Sequence, residues 1–188
     1  MSLPVLTTKR LVLRPVEMGD AEAIAELGGR DFEIARWLTG VSWPYRDGEA
    51  EAFLSKIADA NPLKTEAVFA VTLGGVFIGV CALEAPGDLD EFSDCPTIGY
   101  WVGRAFQGFG YTQEAAMAVL EWGFSNHECD AIAARAFEDN TASRSVLRKL
   151  GFKPAGKTTR FAKALDRKVD CIVVRLDRAD FERARVAA

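Results

Sequence analysis

The stretch QGFGYTQEA, Gln107 to Ala115, sets two glycines one residue apart directly before a run, YTQEAAMAVLEWGF, that reads as a helix. A helix start leaves its first N–H groups without intrahelical acceptors, and glycines let the preceding backbone turn sharply while a ligand approaches with no Cβ in the way. Such a turn suits an anion. The helix dipole contributes about 0.3 to 1 kcal/mol per charge, whereas each hydrogen bond to a charged group is worth roughly 1.5 to 3 kcal/mol, so convergent N–H groups decide the affinity. A pyrophosphate matches that cradle. It is not a P-loop, since no Lys-Ser/Thr pair follows Gly110, and it is a poor dinucleotide fingerprint, since Gln113 stands where the third glycine is due. One strand further on, NTASRSVLRKLGF, Asn140 to Phe152, reads as a short helix capped by Asn140 and stopped by Gly151.

The elements that must position these residues follow from periodicity. RLVLRPV alternates around Leu11 and Leu13 as a strand, and GDAEAIAELGG follows as a helix closed by Gly28 and Gly29. A helical piece near Phe32 to Leu38 leads into the loop TGVSWPY, and DGEAEAFLSKIADAN is an amphipathic helix. AVFAVTLGGVFIGVCALE is a hairpin turning at Gly74-Gly75. TIGYWV is a strand before the Gly-rich turn, AIAARAF the strand after its helix, and KTTRFAKAL and VDCIVVRL precede a last helix, RADFERARV. The order is β-α-α-α-β-β-β-α-β-α-β-β-α. A central strand, helix and strand predict a parallel crossover, and the flanking hairpins predict antiparallel pairing, so the fold is α+β with a mixed sheet. No repeat or linker divides the 188 residues, and one domain over 1–188 is expected.

Composition narrows the partners. A net charge of -4 offers no general basis for nucleic-acid binding, although nine Lys/Arg stand against Asp166 alone between Arg144 and Lys168. The acidic EAPGDLDEFSDCP reads as a long loop able to draw in a cationic amine. Cys81, Cys95, Cys129 and Cys171 form no C-x-x-C pair and only His127 could join them, so neither a metal site nor a disulfide framework is expected. The N-terminus has no signal-peptide pattern, and no apolar run approaches the roughly 20 residues that span a bilayer. A cytoplasmic protein with reduced thiols and no membrane partner is expected.

QGFGYTQEA resembles the acyl-CoA pyrophosphate loop of the GCN5-related N-acetyltransferases, Gln/Arg-x-x-Gly-x-Gly/Ala. Gln107 and Gly110 match it, and Thr112 departs from it. NTASRSVLRKLGF is similar to the family's second signature, Asn-x-x-Ser/Ala followed by Leu-Gly-Phe. TTKRLVLRPVEMGDAEAIAEL, FIGVCAL and IGYWV resemble the branch that includes the RimJ/RimL-like ribosomal-protein N-terminal acetyltransferases, so the likeness runs from about Leu6 to about Leu176.

The resemblance implies a mostly antiparallel sheet with a central parallel pair, TIGYWV and AIAARAF, splayed to admit acetyl-CoA. It implies that Gln107, Gly108, Phe109, Gly110, Tyr111 and Thr112 cradle the pyrophosphate, and that Asn140, besides its cap, approaches the pantetheine arm. The usual acid, a Tyr seven residues after that Asn, is here Leu147, which leaves Ser143 to face the CoA sulfur as the catalytic hydroxyl. Thr97 stands where relatives carry a basic Glu. Glu84, Asp94 and Glu138 are then the candidate bases, with Tyr100 a substrate-facing possibility, and Trp43 and Tyr45 either line the acceptor groove or pack.

The implied reaction is direct acetyl transfer to a primary amine by a monomer or homodimer. Without a strong base, an α-amine of pKa about 7.7 to 8 is an easier acceptor than a lysine-like amine at about 10.4, which favours a peptide N-terminus. A small-molecule amine (aminoglycoside, polyamine or amino acid-like) and a non-catalytic acyl-CoA-binding module are the alternatives.

Overall fold

The computed structural model describes residues 2–188. Its centre is one eight-stranded sheet in the order β1-β2-β3-β4-β5-β6-β8-β7. The first strands are β1 (Leu6–Thr7) and β2 (Val12–Pro15). In β2 and its lead-in the alternation holds: Leu11 and Leu13 are 1% and 0% exposed, and Val12 between them is 39% exposed. β1 escapes a periodicity reading because it is only 2 residues long.

Helix α1 (Ala21–Ile24) continues into a π-helical turn over Ala25–Gly29, followed by α2 (Phe32–Ala35) and α3 (Glu49–Ala58). Gly28 and Gly29 do not end the helix in a left-handed cap, as the sequence suggested; both are buried inside the last turn. Close approach explains them: a Cβ on Gly28 would lie 2.9 Å from the Trp101 ring, and one on Gly29 would clash with the edge of the Tyr45 ring.

The hairpin β3 (Glu66–Leu73) and β4 (Val76–Glu84) turns at Gly74 and Gly75, both with positive φ. Then come β5 (Thr97–Val102), α4 (Tyr111–Asn126), β6 (Ala131–Phe137), α5 (Thr141–Lys149), β7 (Lys153–Ala162), β8 (Arg167–Asp177) and α6 (Arg178–Ala187). All ladders are antiparallel except β5 with β6.

Helices cover both faces. On one face α4 buries Ala115, Ala116, Val119 and Leu120 against Phe69, Leu83, Ile98 and Ile132. Gly123 lets the helix come this close, since a Cβ there would sit 2.8 Å from Leu83 Cδ2 and 3.1 Å from Ile132 Cδ1. On the other face α1 and α3 pack on Val68, Ala70, Val80 and Trp101 through Ile24, Phe53 and Ile57. Successive strand residues point to opposite faces, so Ile98 and Tyr100 belong to the α4 side, and Thr97, Gly99 and Trp101 to the α1/α3 side.

The acidic loop is anchored rather than free. Leu89 and Cys95 are buried, Asp88 forms an ion pair with Arg135, and Arg160 donates to the Asp88 carbonyl at 2.7 Å. Its charge is therefore partly neutralised. Among the described residues no helix is long and apolar enough to cross a membrane.

Candidate active site

The site begins where the sheet fails to close. β5 and β6 share a single register pair, Thr97 with Ala133, where the Ala133 N–H donates to the Pro96 carbonyl at 2.9 Å. Beyond it the strands part, leaving the facing backbone groups of 98–102 and 134–137 without ladder partners across the gap. An extended ligand with amides of its own can pair with those edges. A cavity of about 840 Å³ occupies the gap and reaches both faces of the sheet.

On the α4 side the cavity is lined by Gln107, Gly108, Gly110, Tyr111 and Thr112. Gly108 and Gly110 have φ of 85° and 81°, a region that side-chain-bearing residues avoid. Gly110 is the N-cap of α4 and offers no side-chain acceptor, so the N–H groups of Tyr111, Thr112 and Gln113 are unpaired at the cavity wall. Gln107 is not simply solvated: its Nε2 donates to the Val102 carbonyl at 3.3 Å and ties the loop to β5. The Phe109 side chain is exposed, stacks on Tyr111 and lies outside the cavity lining, so only the main chain of this residue is available to the cradle.

Asn140 caps α5, with its Oδ1 accepting from the Ser143 N–H at 3.2 Å, and both residues line the cavity. The Ser143 and Tyr100 hydroxyls lie 3.4 Å apart. Burial pushes the Tyr100 phenol up to about 12 against the opposing effect of the Ser143 hydrogen bond, so Tyr100 remains protonated near neutrality and available as a donor. Leu147 is buried at the cavity wall and brings no acid.

On the α1/α3 side lies a different chemistry. Glu84 ends β4 in register with both Glu66 and Thr97. Burial, reinforced by the nearby Asp88 charge and only partly opposed by Arg135, raises its carboxyl to about 7. Glu66 is held by Lys56 at 2.9 Å. Thr97 Oγ1 is buried without a hydrogen-bond partner. Trp37, Phe53 and Trp101 complete the wall.

Of the candidate bases, Glu84 reaches the cavity, as does the substrate-facing Tyr100; Asp94 and Glu138 do not, and Glu138 pairs with Lys157 instead. Trp43 and Tyr45 are also absent from its lining. Trp43 packs on Phe32 with ring centroids 5.1 Å apart. Tyr45 fills the space over Gly29, accepts from the Ala50 N–H at 3.1 Å and lies under Arg30. Their packing role follows from helix contacts that the loop sequence does not encode. Glu66, Lys56 and Trp37 were missed by sequence reasoning; the one available signal was an acid opening the otherwise apolar strand EAVFAVTL.

Comparison with known proteins gives a consistent result. The acetyltransferase (GNAT) domain family matches residues 10–153. The uncharacterized N-acetyltransferase p20 of Bacillus licheniformis is 25% identical over 182 residues, covering 95% of this chain and 99% of that protein. Mycobacterium smegmatis RimJ, solved in complex with CoA-disulfide, superposes with a TM-score of 0.71 at 22% identity, covering 94% of this chain and 88% of its own. The ribosomal-protein-S5-alanine acetyltransferase from Vibrio fischeri gives a TM-score of 0.76 at 19% identity, covering 95% and 99%. The chain belongs to the GNAT family of N-acetyltransferases.

Proposed function

We propose that the protein transfers the acetyl group of acetyl-CoA directly to the α-amine of a peptide or protein N-terminus. One observation carries this reading: a single cavity crosses the sheet, with an N–H cradle and a hydroxyl pair on one face and a carboxyl raised to about 7 on the other. The donor's pyrophosphate is held by the N–H groups of Tyr111, Thr112 and Gln113, and its pantetheine amides pair with the free edges of β5 and β6. The acceptor enters from the α1/α3 side.

The amine nitrogen attacks the thioester carbonyl, and Glu84 takes the proton released as the new C–N bond forms. The tetrahedral intermediate expels the thiolate, whose parent pKa is near 8.5. Ser143 donates the proton to the departing sulfur and recovers one through its Tyr100 neighbour, with solvent restoring the phenol as Glu84 gives up its own proton to solvent. Amide and free CoA thiol result. Magnitudes favour the α-amine: reaching the neutral form that attacks costs roughly 1 kcal/mol at pH 7 for a pKa of about 7.7 to 8, against about 5 kcal/mol for a lysine-like amine at about 10.4. The name of the Vibrio fischeri neighbour, a ribosomal-protein alanine acetyltransferase, agrees with that acceptor class.

The test is thiol release from acetyl-CoA against peptides with free N-termini, acetyl-blocked peptides carrying lysine, and small-molecule amines including polyamines and aminoglycosides. Turnover on free N-termini and little on blocked peptides is expected. Preference for a small-molecule amine would replace the acceptor, and acetyl-CoA binding without turnover on any amine would argue for a binding module.

A further inference from the structure

The turn between β1 and β2 reaches across the molecule to the Gly-rich loop, and Arg10 in that turn is engaged from several directions. Its Nη1 donates to the Phe109 carbonyl at 2.8 Å, and its Nε donates to Glu114 Oε1 at 3.0 Å. The Arg10 main-chain N–H donates to Glu114 Oε2 at 3.1 Å, to which Thr8 Oγ1 also donates at 2.8 Å. The guanidinium lies 4.6 Å from the centroid of the Tyr111 ring. Five contacts, four of them from Arg10, thus converge on the loop and first turn of α4.

Glu114 makes this arrangement informative. It is a carboxylate in the first turn of the helix whose free N–H groups form the cradle, where its charge opposes a bound anion. Burial alone would raise its pKa, but the hydrogen bonds from Thr8 and Arg10 outweigh this and hold the carboxyl below its ordinary value, so it stays ionised. Arg10 cancels that charge. By binding the Phe109 carbonyl it also fixes the Phe109–Gly110 peptide plane, which lies between the two glycines whose positive φ turns the chain toward the cavity.

We infer that Arg10 is a positioning residue for the pyrophosphate loop: clamped to Phe109, Tyr111 and Glu114, it presets the N–H cradle and screens Glu114 from the donor's pyrophosphate. This rests on acetyl-CoA being the donor. It goes further in giving the N-terminal turn, distant in sequence and outside the cavity, a selective effect on one half of that substrate.

The experiment compares acetyl-CoA with S-acetylpantetheine, which carries the same thioester arm and no pyrophosphate. Arg10→Ala is expected to lower kcat/KM for acetyl-CoA about tenfold, through KM, equivalent to about 1.4 kcal/mol of lost binding, while kcat/KM for S-acetylpantetheine stays within about twofold. Adding Glu114→Gln to that variant should recover about threefold for acetyl-CoA, because the unscreened charge is then gone. Arg10→Lys, which keeps the charge and loses the two-pronged reach, should show the same selective loss at smaller size and serves if the alanine variant folds poorly. Equal losses on both substrates, or none on either, would overturn the inference by showing that Arg10 only pins the N-terminal strand. Wild-type enzyme using both substrates equally well would instead overturn the acetyl-CoA reading beneath it.

Discussion

Replacing Glu84 by Gln keeps the side chain's volume and place at the end of β4 and removes its capacity to accept a proton. A positioned general base contributes about 10² to 10⁴ in rate. The lower end applies here, because an acceptor α-amine with pKa about 7.7 to 8 is already about one-tenth neutral at pH 7, so the base is needed only for the proton released during attack. The expected loss in kcat/KM for the acceptor is therefore about a hundredfold at pH 7. The pH profile is more diagnostic than the loss. Below about pH 7 both the Glu84 carboxyl and the acceptor ammonium must give up a proton, so log kcat/KM for the wild type climbs with a slope of two. Without Glu84 only the amine titrates, and the slope falls to one. The assay is thiol release at saturating acetyl-CoA with a free-N-terminus peptide from pH 5.5 to 9. A slope of two that survives the substitution, or a loss under about threefold, would refute the assignment.

The same group has a signature in stability. Its folded pKa, about 7, lies above the ordinary carboxylate value, so the folded state holds the proton more tightly. The stabilisation is present below the unfolded pKa and is lost as pH rises through about 7; the wild-type Tm should fall across that window, and Glu84→Gln should flatten the fall.

Three further outcomes follow from the structure. Ser143→Ala should lower kcat about ten- to a hundredfold and leave acetyl-CoA affinity nearly unchanged, because Asn140 caps the Ser143 backbone N–H rather than its hydroxyl; unchanged turnover would dispose of the proton-donor role. Thr112→Ala should bind acetyl-CoA as well as the wild type or more tightly by calorimetry, if the proposed cradle uses only the main-chain N–H there; clearly weaker binding would show that the hydroxyl contacts phosphate. Gly123→Ala should destabilise in urea unfolding: overpacking against Leu83 and Ile132 costs about 1–3 kcal/mol, more than the gain of up to about 1 kcal/mol in helix propensity. A stabilised variant would show that Leu83 moves aside freely.

What was legible in the sequence was local. The Gly108 and Gly110 turn, the Asn140 cap and the helix that each precedes are written within a few consecutive residues, because orphan N–H groups and positive φ impose requirements on immediate neighbours. The alternation around Leu11 and Leu13 survived for the same reason. What was not legible depended on register between strands. Glu66, Glu84 and Thr97 are far apart in sequence and become neighbours only through the pairings of β3, β4 and β5, so no spacing rule could join them. Gly28 and Gly29 were misread because a glycine pair near a helix end has two uses, a left-handed cap or a close approach, and only the Trp101 and Tyr45 rings decide between them. Trp43 and Tyr45 stand in a loop rich in aromatics, yet their partners lie on helices elsewhere in the chain.

The single pairing of Thr97 with Ala133 has a mechanical consequence. It divides the sheet into two leaves, β1 to β5 and β6 to β8, joined at the spine by a single register pair and by α4 lying across both. A donor whose amides bridge the leaves acts as a temporary ninth strand, a splint that completes the hydrogen-bonded lattice while it is bound. The bound enzyme is then the stiffer object, and the backbone N–H groups along 98–102 and 134–137 are where amide exchange should slow when the splint is in place.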